Sequence, residues 1–544
     1  MSENKKLAPY GPAPKRPVNK GYGDAGASAV KKALKGFLAS SGSPIEDIDQ
    51  HNYTLRQRAR MLYMAAPIAT SGIKTNRTNV IGCGLTFKSR IDRERLGLTA
   101  EQAKVWQRNV EAEFGLWAMD KRNCDALGIN NFYTAQQLTF MSEQLSGDVV
   151  VLLEHEEPTK LNPYGLRFHI IEADRISTPP ITMTSGGTFF ATSTEGKTKE
   201  GNRIHDGVEV DGKGRIVAYH IRNTYPLEKT TEQTKWVRVE AYGKETGLPN
   251  VLHIMQAERP EQYRGVTYLA QVIEPLLQAR RYTDSELTAA VVESFFTAFI
   301  KSEADTSENP FNEVGDGQGG ERPEGISSDP NEYEMGPGQV NVLKPGEDVV
   351  FGDPKRPAGG FDAFIKSIST QVGAALEIPV DLLLKAFNAS YSASRAALLE
   401  AWKAFKMWRT WFVDDFCRPL YAVWLSEAIA RGRIMAPGFF LDPGIRAAWL
   451  GSEWIGPSQG QLDPVKEIQA EQLACENGFS TREQSTVKLN GGSYERNVEQ
   501  LADENEQLTK AASGQDDDAA LEAFAAKLLP HLINKINQGG NPKS

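Results

Sequence analysis

Arg259-Pro260-Glu261-Gln262-Tyr263-Arg264-Gly265-Val266 is the stretch around which the chain is organised. It is a polar, arginine-bearing hinge, and Gly265 gives its backbone a freedom that other residues lack. It feeds a helical pattern over 266–297. There Leu276, Leu287, Ala290 and Val291 form a partial apolar stripe, and Pro275 is tolerable only in a first turn. Residues 303–334 then hold ten acids and one Arg among many Gly, Pro and Ser, the composition of a loop or linker. Residues 340–343 and 349–351 read as strands around Pro345-Gly346. Residues 361–376 read as a returning helix, ended by Ile378-Pro379. A long helical hairpin with a loop at its far end is a rod projecting from a body.

That body is built from both flanks. Residues 1–26 have a disordered composition, and 1–36 carry eight Lys/Arg against two acids, either a solvated tail or an arm for DNA or an acidic partner. Val30, Leu34, Phe37 and Leu38 share one face of a short predicted helix. Residues 53–79 read as helical, with Arg56, Arg58 and Arg60 near the start and Pro67 as a boundary. The glycines at 82 and 84 read as a turn into a strand. Helices follow over 99–117 and 131–146, with Trp106, Phe114 and Trp117 facing a core. From Asp148 to about 255 the period is two: 149–154 and 166–171 are strands, and 208–219 is a hairpin with an Asp211-Gly212 turn. Downstream of the hinge, 385–394 is small, polar and loop-like. A long aromatic helix spans 392–431, either core or subunit interface. Two or three helices occupy 463–511, and an amphipathic helix lies near 519–537 after the run Asp516–Asp518. Strands flanked by helices make the class α+β.

With 544 residues and 40% apolar content, two to four domains are expected. The net charge of -9 excludes a basic nucleic-acid coat, because duplex binding runs on Lys/Arg contacts to phosphate. Cys83, Cys124, Cys417 and Cys475 lack C-x-x-C spacing and read as buried apolar residues in a reducing compartment. No apolar run is long enough for a membrane span, and the N-terminus does not read as a secretory signal.

Catalytic patterns lack their contexts. Glu195-Gly196-Lys197-Thr198 resembles the end of a phosphate-binding loop, but position 191 is Ala where the motif needs Gly. Gly456-Pro457-Ser458-Gln459-Gly460 has the letters of a hydrolase elbow, yet Pro457 sits inside it and a linker reads better. The seven histidines show no metal-binding spacing; His169 and His220 fall in strand patterns. No catalytic residue, metal site or cofactor is expected. A nucleotide-dependent enzyme or hydrolase and a monomeric DNA-binding protein stand as the alternatives to a structural role.

The chain resembles the portal proteins of tailed bacteriophages, in their lambda-like branch, from about residue 50 to 510. The resemblance lies in L-R-Q-R-A-R-M-L (55–62), N-V-I-G-C-G-L (79–85), G-D-V-V-V (147–151), I-E-A-D-R-I (171–176) and D-G-V-E-V-D-G-K-G-R-I-V-A-Y (206–219). It continues through R-P-E-Q-Y-R-G-V (259–266), Y-T-D-S-E-L-T-A-A (282–290), S-Y-S-A-S-R-A-A-L-L-E (390–400) and W-I-G-P-S-Q-G-Q-L-D-P-V-K-E (454–467), in order and spacing. One departure is Ala65-Ala66 before Pro67, where the family usually has Asn. The resemblance implies a portal fold: basic arm 1–50, wing 51–265, stem helix 266–297, clip 298–358 and second stem helix 359–376. Tunnel loop 377–394, returning aromatic helix 395–433, crown helices 434–511 and an acidic tail with a terminal helix over 512–544 would follow. It implies a homo-oligomeric ring, typically of twelve subunits, at one capsid vertex in the virion, assembled in the host cytoplasm. Double-stranded DNA would pass through it without sequence-specific contacts. Partners would be the terminase large subunit, the major capsid and scaffolding proteins, and a head-tail completion or adaptor protein. A conduit must not grip a duplex, and ring symmetry repeats each weak contact. Arg280, Arg281, Lys366, Lys385, Asn388 and Tyr391 are therefore channel candidates. Lys301, Lys344, Glu347 and Asp348 are candidates for the clip face toward terminase or adaptor.

Overall fold

A computed structural model describes residues 27–28, 31–37, 39–180, 195–198, 200–229, 231–294, 298–302, 347–351, 360–387, 390–460 and 464–512. The acidic stretch 303–334, the expected strand 340–343, the basic residues 1–26 and the expected helix 519–537 lie outside them. Pro67 splits the first helical run as expected. Proline has no N–H to continue a helix but fits its first position, so α1 (Gln50–Ala65) stops at an extended Ala66 and α2 (Pro67–Val80) restarts on Pro67. Ala66 provides no side-chain cap, in keeping with the Ala that stands where the family usually has Asn. Gly82 and Gly84, at φ 61° and 112°, turn the chain into β1 (Thr86–Ser89). A reciprocal capping box between Thr99 and Gln102 opens α3 (Ala100–Ala118). The short α4 (Lys121–Cys124) follows, then α5 (Phe132–Ser146), capped by Asn131.

The period-two region forms two antiparallel sheets. Strands β2 (Asp148–His155) and β3 (Leu166–Glu172) belong to the first. The second is a five-stranded meander of β4 (Glu195–Lys197), β5 (Arg203–His205), β6 (Val208–Val210), β7 (Ile216–Arg222) and β8 (Trp236–Glu240). Strand β9 (Val251–Met255) then returns to the first sheet, giving the order β3-β2-β9. The hairpin over 208–219 exists, but its turn is not a two-residue Asp211-Gly212 turn. Val210 pairs with Ile216, so residues 211–215 form the loop, and it is Gly214 that takes positive φ (82°). The Asp211 carboxylate accepts from the backbone N–H of Lys213 (2.8 Å) and Arg215 (2.9 Å), which stabilises this wider loop.

The helix after the hinge begins later than Val266. Tyr268 N–H donates to the Gln144 carbonyl (3.0 Å), so 266–269 lie against the end of α5 before any helix starts. Tyr268 and Leu269 form a turn, with Leu269 already at helical dihedrals, and a 3₁₀ turn, Ala270–Val272, leads into α6 (Ile273–Ser294), which places Pro275 in a first turn. Beyond α6, β10 (Ala298–Ser302) pairs antiparallel with β11 (Glu347–Phe351), and α7 (Phe361–Ala375) returns. The segment expected to be loop at 385–394 is shorter: α8 (Val380–Leu384) precedes it, and α9 (Tyr391–Phe412) already includes 391–394. A π-turn at Val413–Cys417 joins α9 to α10 (Arg418–Ala430), so the aromatic helix is continuous over 391–430. Then come α11 (Pro443–Trp449), β12 (Ser452–Ile455) paired with β1, α12 (Pro464–Glu476), α13 (Arg482–Asn490) and α14 (Tyr494–Ala512).

Three cores hold this together. The largest joins Phe114, Trp117 and Phe132 to Phe405, Phe416, Tyr421 and Trp424. The aromatic helix is therefore intrachain core; Trp424 and Phe416 are fully buried. Ile434, Phe439, Trp449 and Trp454 belong to the same core, so residues 434–455 pack with the body. The second core packs Leu62, Ala69 and Ile73 of α1 and α2 against Leu276 and Ala279 of α6 and Ile368 and Val372 of α7. The third lies on the meander. Leu287 and Ala290, expected on an apolar stripe, are exposed. Cys83 is exposed and Cys475 half-buried, so only Cys124 and Cys417 are core residues. Among the described residues near the N-terminus, Lys32–Leu34 form a 3₁₀ turn and Phe37 is exposed.

Glu143, on α5, is buried with Asp415 nearby. Burial, with the Asp415 and Asp148 charges adding and a Gln144 hydrogen bond opposing, pushes its carboxyl up to about 8. The folded chain then holds a proton that the unfolded chain releases between pH 4.5 and about 8, so stability falls as pH rises through that window. Asp415, raised to about 6 mainly by burial, acts in the same sense. Glu143→Gln is expected to reduce the loss of stability between pH 5.5 and 9 by at least ~1 kcal/mol. Urea midpoints at the two pH values measure this; equal losses in both proteins would refute it.

Candidate functional site

The rod is rooted at one charged cluster. Arg264 is fully buried. Its Nε donates to Asp148 Oδ2 (2.6 Å) and its Nη2 to Asp148 Oδ1 (3.2 Å) and the Ala173 carbonyl (3.0 Å). Its Nη1 reaches the Ile176 carbonyl (3.0 Å) and Asp206. Arg56 enters from α1, with Nη2 3.5 Å from Asp148 Oδ1, Nη1 3.7 Å from both Asp174 and Asp206, and Nε bonded to the Ser146 carbonyl (3.0 Å). Arg60, one turn on, pairs with Asp174 and with Glu172 (3.0 Å). Burial opposes ionisation of Asp148, but the Arg264 and Arg56 guanidiniums and the His253 hydrogen bond outweigh it and hold this carboxyl well below the usual range. Asp49 faces the same cluster without such close partners. Burial and the Asp206 charge push it up to about 7.

Backbone contact reinforces the charges. A Cβ on Gly265 would run into the Gly147 carbonyl, and Gly265 N–H donates to Asp148 Oδ2 (3.1 Å). Asn52 of α1 donates to the Gly265 carbonyl (3.0 Å). The hinge thus ties α1, the start of β2 and the root of α6 into one joint. Of its residues, sequence reasoning marked Arg264 as a hinge residue and Arg56 as part of a basic helix start. Asp148, Asp174 and Asp206 were missed as their partners. The available signal was Asn52, Arg56 and Arg60 at four-residue spacing on a face shared with Ala59.

From this joint α6 and α7 run antiparallel. Leu276 and Ala279 meet Ile368 and Val372, and farther out Tyr282 packs on Phe361 (5.7 Å) and Phe364 (4.4 Å). Arg281 and Lys366 are exposed beside that contact, and Arg280 is half-exposed with Asp284 3.8 Å away. The structure therefore gathers Arg280, Arg281 and Lys366 on one helical pair. Lys385 lies elsewhere. It ends α8 at φ 54° and lines a cavity of about 320 Å³ with Met64, Ser71 and Lys74 of the α1–α2 corner. Asn388 lies outside the described residues, and Tyr391 is the first residue of α9. At the far end of the rod Lys301 stands opposite Asp348 and Ser302 opposite Glu347 in the β10–β11 register, while Lys344 lies outside the described residues.

The catalytic look-alikes resolve as structure. Gly196 is in edge strand β4, paired with Ile204, not in a loop before a helix. The adjoining cavity of about 620 Å³ contains Lys197, His220 and Arg238, but its buried Glu209 is already bonded to Arg238 (2.7 Å), His220 (3.1 Å) and Asn202 (2.7 Å). Pro457, within the G-x-S-x-G letters, offers its carbonyl to Arg409 (3.0 Å). The same guanidinium caps the end of α2 through the Asn79 and Val80 carbonyls (2.8 and 2.9 Å). Among the described residues no His/Cys/Asp/Glu group could hold a metal ion, and no helix is long and apolar enough to cross a membrane.

The sequence model for the phage portal protein, lambda family, matches residues 31–409, which contain the joint, the rod and the first half of the aromatic helix. The chain belongs to the lambda family of phage portal proteins. Portal protein B of Escherichia phage lambda is 23% identical over 470 residues, covering 83% of this chain and 84% of that protein. The portal protein of Escherichia phage N15 is 24% identical, covering 86% of each, and the probable portal protein of Halomonas phage phiHAP-1 is 24% identical, covering 77% of this portal chain and 75% of that one. Among solved structures, a chain from the neck of a native gene transfer agent particle computed with C12 symmetry aligns at TM-score 0.40 and 13% identity, covering 82% of this portal chain and 94% of that chain. This portal chain is an α+β protein whose body is continuous in sequence with the rod.

Proposed function

We propose that twelve copies close into a ring at the capsid vertex, with α6 and α7 of each copy forming the stem around a passage for double-stranded DNA. The observation that carries this is the antiparallel helical pair, rooted in a buried charged joint and followed by the antiparallel β10–β11 pair, in a chain of this family. The body up to the joint is the wing, residues 298–358 the clip, 377–394 the tunnel loop and the terminal helices the crown. Arg280, Arg281, Lys366 and Lys385, with Asn388 and Tyr391, supply sparse contacts that the ring repeats; their scarcity lets a duplex slide. The clip, with Lys301, Lys344, Glu347 and Asp348, meets the terminase large subunit during packaging and a head-tail adaptor afterwards. Major capsid and scaffolding proteins contact the body during assembly in the host cytoplasm. No step is chemical: the ring is a non-enzymatic conduit of the virion.

End-on negative-stain images of the purified chain test the ring. Annular particles of twelve units are expected, and a chain that stays monomeric under all conditions overturns the reading. Arg281→Glu/Lys366→Glu chains are expected to form the same rings yet package less DNA in a reconstituted reaction. Unchanged packaging would remove these residues from the channel.

A further inference from the structure

Residues 495–509 of α14 are all exposed. The helix leans on the body through ion pairs near its start, Lys104 to Glu495 (3.7 Å) and Arg108 to Glu499. Exposed pairs of this kind contribute little, and a lone helix of this length is marginal in water. Yet one face is apolar. Val498, Leu501 and Leu508, with Asn505 between them, recur at alternating spacings of three and four, the seam of a two-helix contact, and are 43%, 55% and 67% exposed. At ~100° per residue, Glu495 and Glu499 fall outside that seam.

We propose that the seam docks the chain's own residues 519–537, folded back antiparallel as a helix. Six polar residues, Ser513 to Asp518, separate the two segments, enough for a helical hairpin. Leu521 and Leu528 are seven apart, as are Leu501 and Leu508, so both pairs span ~10.5 Å along a helix. Aligning Leu521 beside Leu508 brings Leu528 beside Leu501 and leaves Leu532 for Val498. Pro530 interrupts the segment only after Leu528, past the two main contacts. Charge agrees: α14 carries five acids against Arg496 and Lys510, whereas 519–537 carries Lys527 and Lys535 against Glu522. A neighbouring copy fits less well. A second α14 seated on the seam would set five acids against five, whereas 519–537 brings a net positive charge. The hairpin does not rest on the ring reading.

Two measurements on the full chain test the proposal. Hydrogen exchange should show amides 498–509 protected, and Leu528→Asp should lower that protection by about tenfold or more while the rest of the body is unchanged. In a Cys83→Ser background, Asn505→Cys with Ala525→Cys should be joined within one chain by a short bis-maleimide. Amides 498–509 that exchange freely, or that ignore Leu528→Asp, overturn the proposal. Links formed only between chains also overturn it and assign the seam to a second copy. A chain that remained monomeric but gave the intrachain link would sink the ring and leave the hairpin standing.

Discussion

Arg264→Met is expected to destabilise the chain by on the order of 3–5 kcal/mol, the cost of removing one partner from a buried ion cluster. The side chain volume is nearly kept, so the loss is electrostatic. Asp148 would retain Arg56 at 3.5 Å, His253 at 3.3 Å and the Gly265 N–H at 3.1 Å, and the Ala173 and Ile176 carbonyls would each lose a charged donor. Arg264→Lys should recover little, because one ammonium cannot reproduce a fork that serves two carboxylates and the carbonyls of Ala173, Ile176 and Asp206. Denaturant midpoints of the single variants and of Arg264→Met/Asp148→Asn measure this. The double variant should lose less than the sum of its parts, since each change relieves the charge that the other strands. A loss under ~0.5 kcal/mol for Arg264→Met would show that the cluster is ornamental. The joint also has a pH signature opposite to that of Glu143. Asp148 is depressed when folded, so its contribution is present above its unfolded value of 3.8 and is lost as pH falls through the lower folded value.

Much of this architecture is legible from local chemistry. Pro67, the glycines at 82 and 84 and the change of period at Asp148 each act within a few residues, and each places an element boundary where it is found. The aromatic residues of 402–424 read as core or subunit interface; most are buried within the chain, and Trp408 and Trp411 are half-buried. What stays hidden has causes distant in sequence. Arg264 owes its burial to Asp148, 116 residues away, and a polar hinge gives no local sign that its arginine points inward. The loop at 211–215 was misread because Asp211 caps backbone amides three-dimensionally, where Asp-Gly spacing suggested a tight turn. The packing of residues 434–455 into the body is hidden for a similar reason. Phe439, Trp449 and Trp454 are too few and too scattered to show periodicity, yet β12 pairs with β1 more than three hundred residues earlier and carries Trp454 onto Phe87. The channel candidates were chosen by charge and position. The fold gathers Arg280, Arg281 and Lys366 on the rod because α6 and α7 pack together, and it puts Lys385 at the α1–α2 corner because α8 packs there.

Gly265→Ala should be nearly as damaging as loss of Arg264, by a different route. A single methyl placed there meets the Gly147 carbonyl and lies 3.1 Å from Asp148 N, all backbone atoms that cannot rotate away. Ordinary overpacking costs ~1–3 kcal/mol because side chains yield. Here the start of β2 and the 265–269 segment must separate, which also lengthens the Gly265 N–H to Asp148 bond and the Asn52 bond to the Gly265 carbonyl. The expected loss is therefore at or above ~3 kcal/mol. The variant that still folds should have a displaced α6 root, because Tyr268 and Leu269 follow directly and seat the helix in the second core. Gly147→Ala offers the matched control: its methyl meets the Gly265 and Val266 backbone from the other side, and Gly147 is also held at φ 88°. Both variants should unfold at lower denaturant, and both should yield fewer or irregular rings at temperatures where their bodies remain folded. Wild-type stability together with normal rings in either variant would mean that the contact between the two glycines does not fix the angle at which the rod leaves the body.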